Sequence, residues 1–343
     1  MRALSICLHV LFLLSCGGSR EVILRTARGA EVTAEEIDRQ PLWLLPPAGV
    51  GWFHLEVAAA AGSPLGKYIL SDLRARFPLP ETAGFSLERD VTQLSLASYS
   101  MKGADFAGVA TGRFDAKRIA AAALEYKGGP LAPQLVKSEY AGRTLYTTAS
   151  VGFVVITAQT ALFGNDVGIR RCLDRIAESR VADDLPAWVK DLLVTPNAAF
   201  SLGVDLNASA LTAALPGRLA ALSGATLARG VGNFDAPGVN LAGTITHADH
   251  EAARHSAEAL LQAGGSLNVY GRLLGLGQPL RKLETQAVGS DTQVVLAVDG
   301  AAIQLLMQRF LPPPPAAAPH AGPGWAAVFG SGSRPERLSR SLQ

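Results

Sequence analysis

Cysteine is scarce, with three in 343 residues at positions 7, 16 and 172, and that excludes a disulfide scaffold. Charge is scarce too. Charged side chains make up 17% of the chain, below the roughly 25% usual for soluble domains. Lys and Arg number 31 against 29 Asp and Glu. A net charge of +2 builds no field able to hold a polyanion, so nucleic-acid binding loses its main electrostatic support. Aromatics are 6% while hydrophobic residues reach 48%, so the core is built mainly from Ala, Leu and Val. Disorder, which needs low hydrophobicity and high charge, is excluded. Also missing are a G-x-S-x-G elbow, a C-x-x-C pair and an EF-hand loop, and nothing in the pattern calls for a cofactor.

What is present begins at the N-terminus. Arg2 is followed by the apolar stretch from Ala3 to Leu14, which has the length of a signal-peptide core and is too short for a stable membrane span. It ends in Leu13-Leu14-Ser15-Cys16, which resembles the lipobox of bacterial lipoproteins. The resemblance covers only this leader. It implies removal of residues 1–15 and attachment of diacylglycerol to Cys16, so that the protein is exported and held to the membrane by lipid. Gly17 stands where an Asp favours inner-membrane retention, so the resemblance points to the outer membrane. No later apolar run reaches 18 residues, and no other segment is expected to span a bilayer. With Cys7 removed and Cys16 acylated, Cys172 is the one remaining thiol. It lies on an apolar helical stripe with Ile169, Leu173 and Ile176, which points to a buried structural residue rather than a nucleophile, despite Arg170 and Arg171 beside it.

Residues 16–47 have the composition of a tether, with Thr33 and Glu36 spaced as a capping box. Residues 312–343, opening on four prolines, form a Pro/Gly-rich tail. Between them the chain repeats faintly. Phe53-His54-Leu55-Glu56-Val57 and Phe200-Ser201-Leu202-Gly203-Val204 share the form F-x-L-x-V. Phe106-Ala107-Gly108 is echoed by Leu241-Ala242-Gly243, and Val154-Val155-Ile156 by Val294-Val295-Leu296. The order of the matches carries the argument. Val239, Leu241, Gly243 and Ile245 alternate with Asn240, Ala242, Thr244 and Thr246, the period of a sheet with one buried face. Turn signals at Lys102-Gly103, Asp235-Ala236-Pro237-Gly238 and Gly289-Ser290-Asp291 make the strands hairpins. The expected fold class is α+β: two similar halves, 48–182 and 197–311, joined by a linker at 183–196. Each half should be an antiparallel sheet with helices packed on one face, in the order β-α-β-β-α-β-β-α. The lead Leu44-Leu45-Pro46-Pro47, a strand, and then Ser63-Pro64-Leu65-Gly66 opening a helix resemble a loose class of bacterial cell-envelope proteins. That resemblance implies architecture and no activity.

Three segments invite a chemical reading. Ala61-Gly62-Ser63-Pro64-Leu65-Gly66-Lys67-Tyr68 approaches a P-loop, but Tyr68 replaces the small hydroxyl that binds Mg²⁺, and a Pro in the first helical turn accounts for it. His247, Glu251 and His255 are spaced by four, so on one helix they would share a face, as ligands of a metal-dependent enzyme require. The apolar stripe Ala253, Ala257, Leu260, Leu261 turns that row toward solvent, so no metal site is expected and both imidazoles should point into water. Residues 264–277 carry five Gly among aliphatics, which suggests a pliable loop able to line a groove for an apolar ligand. The function expected is non-catalytic: a lipid-anchored envelope protein in a binding or structural role, or a carrier or sensor of an apolar ligand. The expected partners are the membrane, through the lipid on Cys16, and a protein or apolar ligand that the sequence does not identify; nucleic acid is not expected.

Overall fold

A computed structural model describes residues 22–310 apart from 26–27, 77–84, 101–104, 126–134, 149–150, 194, 210–221 and 223. Cys16, the leader 1–15, the Lys102-Gly103 turn and the tail 312–343 lie outside the described residues. Among the described residues no helix is long and apolar enough to cross a membrane.

The fold is α+β. Its centre is one twelve-stranded sheet in which every neighbouring pair is antiparallel. The first half contributes β3 (Gly51–Glu56), β4 (Val91–Ser100), β5 (Asp105–Gly112), β6 (Val136–Tyr140), β7 (Arg143–Thr148), β8 (Val151–Val155) and β9 (Thr160–Asn165). The second contributes β10 (Phe200–Asp205), β11 (Ala225–Asn233), β12 (Gly238–His247), β13 (Leu280–Val288) and β14 (Asp291–Asp299). Outward from the middle the order is β3-β4-β5-β9-β8-β7-β6 on one side and β10-β11-β12-β14-β13 on the other. The halves therefore repeat strand for strand, with the β6–β7 hairpin as an insertion in the first. The two F-x-L-x-V segments are the central strands. They pair directly, with Phe200 opposite Leu55 and Leu202 opposite Phe53, and the Phe53 and Phe200 rings stack at 6.5 Å.

One of the repeat matches is corrected. Val154 and Val155 lie on β8, whose counterpart by position is β13, whereas Val294-Val295-Leu296 lie on β14, the counterpart of β9. Apolar β-branched runs recur on more than one strand of the sheet, so such a run identifies a strand without saying which one it is.

Helices follow the same plan. The first half carries α2 (Val57–Ala61), α3 (Pro64–Arg76), α4 (Leu87–Asp90) and α5 (Ala116–Glu125), and the second carries α8 (Leu206–Ser209), α9 (His250–Leu273) and α10 (Gly300–Phe310). Leu65, Leu70, Ile119 and Ile303 from these helices pack with Leu55, Ala110, Ala161 and Phe200 on one face of the sheet. The opposite face of the first half has a second cover. There α6 (Asp166–Ala177) and α7 (Ala187–Leu193) bury Ile169, Cys172, Leu173 and Val189 against Trp52, Val109, Val154 and Leu162. Asn165 caps α6 by accepting from the Gly168 amide at 3.0 Å, and α7 occupies the stretch expected as a linker.

Residues 22–46 are not a tether. They form the hairpin β1 (Val22–Arg25) and β2 (Glu31–Thr33), then α1 (Ala34–Arg39) and a 3₁₀ turn at Pro41–Leu44. The capping box is formed: the Glu36 amide donates to Thr33 Oγ1 at 3.3 Å and the Thr33 amide to Glu36 Oε2 at 2.8 Å. Leu24, Val32, Ile37, Leu44 and Leu45 are buried in the core beneath α6 and α7, each burial contributing about 1.5–3 kcal/mol. Polar composition hid this, because a short segment needs only a few apolar side chains to dock.

Candidate functional site: an apolar cavity

Between the sheet and α3, α4 and α5 lies a cavity of about 350 Å³. Its floor is Leu94 of β4, Ala110 of β5, and Ala161 and Phe163 of β9, which share one face of the sheet by register. Leu73, Phe85, Phe114, Ile119 and Phe153 form its walls, and Arg74, Ser86 and Arg89 stand among the lining residues. The Phe85 and Phe114 rings stack at 6.0 Å. The arginines are tied to local acids: Arg89 bonds Asp90 at 2.6 Å and Arg74 lies 3.8 Å from Glu88. The Asp90 carboxyl is held below its usual range, chiefly by its bond to Arg89. The lining is therefore hydrocarbon with a polar margin. Water finds few partners on such a surface. An apolar occupant suits such a lining better than water does.

In the second half, among the described residues, glycine lets a helix pack closely on the sheet. Helix α9 lies flat on β13 and β14: Thr285 and Thr292 donate to the Ala257 and Ala253 carbonyls at 2.9 and 2.8 Å. A Cβ on Gly264 would come within 2.4 Å of Leu283. The segment 264–277, expected as a pliable loop lining a groove, is instead largely the last turns of this helix, through Leu273. Close packing at Gly264, and of Gly271 against Pro279, outweighs the helix cost of glycine, about 1 kcal/mol per residue.

The His247–His255 row does not exist. His247 ends β12, and α9 starts only at His250, capped by Asp249, whose side chain accepts from the Ala252 amide. His247 is 3% exposed, against the expectation that it faces water, and lies 3.2 Å from Thr292 Oγ1. His255 is on the exposed side of α9, 3.1 Å from Glu251. Among the described residues no three His, Cys, Asp or Glu side chains gather as a metal would need. Burial lowers the His247 pKa below its ordinary value, against smaller opposing pulls from Asp291 and Asp249. The folded state thus favours neutral His247. Its contribution is complete above the unfolded pKa near 6.5 and is lost as pH falls from there through the lowered folded value. His247→Ala should cost about 1–3 kcal/mol and flatten this part of the stability–pH curve. His255→Ala should stay within about 0.5 kcal/mol. Urea melts of both variants between pH 5 and 8 check this.

Cys172 is fully buried, and burial pushes its thiol pKa up to about 12, outweighing Arg171 and Arg175. It should resist Ellman's reagent in the native protein and react at once in denaturant; native-state labelling would refute its placement. At the P-loop-like segment, Ser63 Oγ accepts from the Gly66 amide at 2.9 Å. A Cβ on Gly66 would meet the Ala60 carbonyl at 2.1 Å. Gly66 serves the crossing of α2 and α3, not a phosphate.

The fold and cavity define an α+β protein of two pseudo-equivalent halves sharing one sheet. No family model matches the chain, and no curated protein matches it. Among solved structures it is similar to crystal form III of TP0453, with 8% identity, a TM-score of 0.49, and coverage of 78% of this chain and 97% of that one. It is likewise similar to crystal form I of TP0453, with 9% identity, a TM-score of 0.48, and coverage of 79% and 97%.

Proposed function

We propose that this chain is an exported, lipid-anchored protein of the bacterial cell envelope, non-catalytic, that holds an apolar ligand in the cavity between α3, α4, α5 and the sheet. The cavity carries the reading. Its size is at the lower end of the range for small-molecule sites, and its lining is the usual one, mostly apolar with a few polar groups at the margin. The lipobox ending at Cys16 supports the anchor, and Gly17 supports outer-membrane over inner-membrane sorting. The metal-enzyme alternative has no support, because His247 and His255 lie in different elements and environments. Among the described residues no helix is long and apolar enough to cross a membrane; the anchor is assigned to lipid on Cys16 on the strength of the lipobox.

Two measurements test the two parts separately. Cys16→Ala should abolish lipid labelling and move the protein out of the detergent phase; unchanged partitioning would refute the anchor. The same variant, handled without detergent, should bind a neutral fluorescent hydrocarbon such as diphenylhexatriene saturably at one site. A linear, non-saturating signal would refute the cavity.

A further inference from the structure

The opposite face of the same strands carries a second site. Alternation places Gln93 and Ser95 of β4 and Thr111 of β5 on the side away from Leu94 and Ala110. These residues, with His54 and Glu56 of β3, form the floor of a cleft of about 1070 Å³. The floor is a connected polar network. Ser95 Oγ lies 2.9 Å from His54 Nδ1, His54 Nε2 lies 3.1 Å from Glu56 Oε1, and Gln93 Nε2 donates to the same Oε1 at 2.8 Å. With a neutral imidazole the whole chain is satisfied: Ser95 donates to Nδ1 and Nε2–H donates to Glu56. His54 and Ser95 are 8% and 7% exposed.

A serine, a histidine and a carboxylate in series invite comparison with acyl-transfer machinery. Ser95 sits in the middle of a strand hydrogen-bonded on both sides, to β3 and to β5. Its flanking backbone amides are committed to those ladders, and we read the network as a binding surface.

The charge in the cleft names the ligand. Both hydrogen bonds to Glu56 converge on Oε1, one from the His54 ring and one from the Gln93 amide. Of the two cations lining the cleft, Arg39 pairs with Glu35 at 2.9 Å and Lys190 with Asp183, itself a lining carboxylate, at 2.8 Å. Among the described residues no Lys or Arg pairs with Glu56 or with Asp235, a further carboxylate on the cleft wall. Trp43 adds an aromatic surface, and carboxylate plus aromatic wall is the setting that favours an organic cation. We propose that this cleft binds a ligand bearing a primary ammonium group, received by Glu56, held in place by His54 and Gln93, with Asp235 as the outer contact. This site is independent of the apolar cavity, from which the sheet separates it.

The test is calorimetric titration of the full-length protein in non-ionic detergent at about 0.15 M salt, where exposed charges are screened beyond about 8 Å. The probes are spermidine, a capped Gly-Lys-Gly tripeptide and its Gly-Gln-Gly neutral counterpart. At least one cationic probe should bind and the neutral one should not. Spermidine alone would identify a free polyamine, and the Lys peptide alone a lysine side chain of a polypeptide. Glu56→Gln, which keeps an acceptor for His54 and Gln93, should weaken binding at least tenfold, which is about 1.4 kcal/mol. Asp235→Asn, outside the network and exposed, should also weaken it. Glu258→Gln, which removes the same charge from α9, away from the cleft, should leave affinity unchanged. Binding of neither cation would overturn the proposal. So would full affinity in folded Glu56→Gln, or, if that variant does not fold, full affinity in Asp235→Asn.

Discussion

Arg175→Met is expected to destabilise the protein by about 3 kcal/mol and lower its Tm by roughly 5–10 °C. Arg175 is on α6 with its side chain 4% exposed. Its Nε donates to the Trp43 carbonyl at 3.1 Å. Its Nη2 donates to the Ala182 carbonyl at 3.1 Å and to Asp184 Oδ1 at 2.6 Å. One guanidinium thus ties the helix to the N-terminal segment and to the loop leading into α7. Methionine fills much the same volume but leaves two carbonyls without this donor, and hydrogen bonds to charged groups contribute about 1.5–3 kcal/mol each. Asp184 is 40% exposed and regains water when the arginine is gone, which keeps the loss below the sum of three bonds. Asp184→Asn should cost less, because both carbonyl contacts survive. Differential scanning calorimetry of the two variants checks the order. Equal, small effects would mean that residues 41–46 do not depend on α6 for their place.

Ala110→Phe is expected to separate binding from stability. Ala110 is 7% exposed and points from β5 into the apolar cavity. A phenyl ring there takes space that an occupant would use, so affinity for diphenylhexatriene should fall at least tenfold. It also fills void, and cavity-filling changes commonly add about 0.5–2 kcal/mol. A higher or unchanged Tm with lost binding is therefore the signature of a ligand cavity. Lost binding with a lower Tm would mean that the ring overpacks the site, and the same substitution at Ala161, on the neighbouring strand β9, would then distinguish the two causes. Full binding in both variants would place the probe elsewhere.

How far these features could be read in the chain varied with their range. The α6 stripe Ile169, Cys172, Leu173 and Ile176 was legible because helix period alone sets it, and all four residues are buried. The halves were legible through the two F-x-L-x-V strands, where one local pattern serves twice at the centre of the sheet. His247 misled because spacing by four means one face only inside a helix, and β12 runs to His247 itself. Residues 264–273 misled because the packing of Gly264 on Leu283, which rewards glycine there, is tertiary. Neither site could be seen in any window. The cavity draws on Leu73, Ala110 and Phe163, and the cleft network joins His54 to a serine 41 residues away. Both depend on strand order, which sequence period does not specify. Scattered phenylalanines at 85, 114, 153 and 163 were the only local trace of the cavity, and in sequence they are indistinguishable from core.

The most direct test of the apolar-ligand account is mass spectrometry of what the native protein retains. The Cys16→Ala protein, purified without detergent, would be extracted with organic solvent alongside Cys16→Ala combined with Ala110→Phe. The account predicts an apolar compound in near-stoichiometric amount from the first and its depletion from the second. No retained compound, or equal amounts from both proteins, would contradict it.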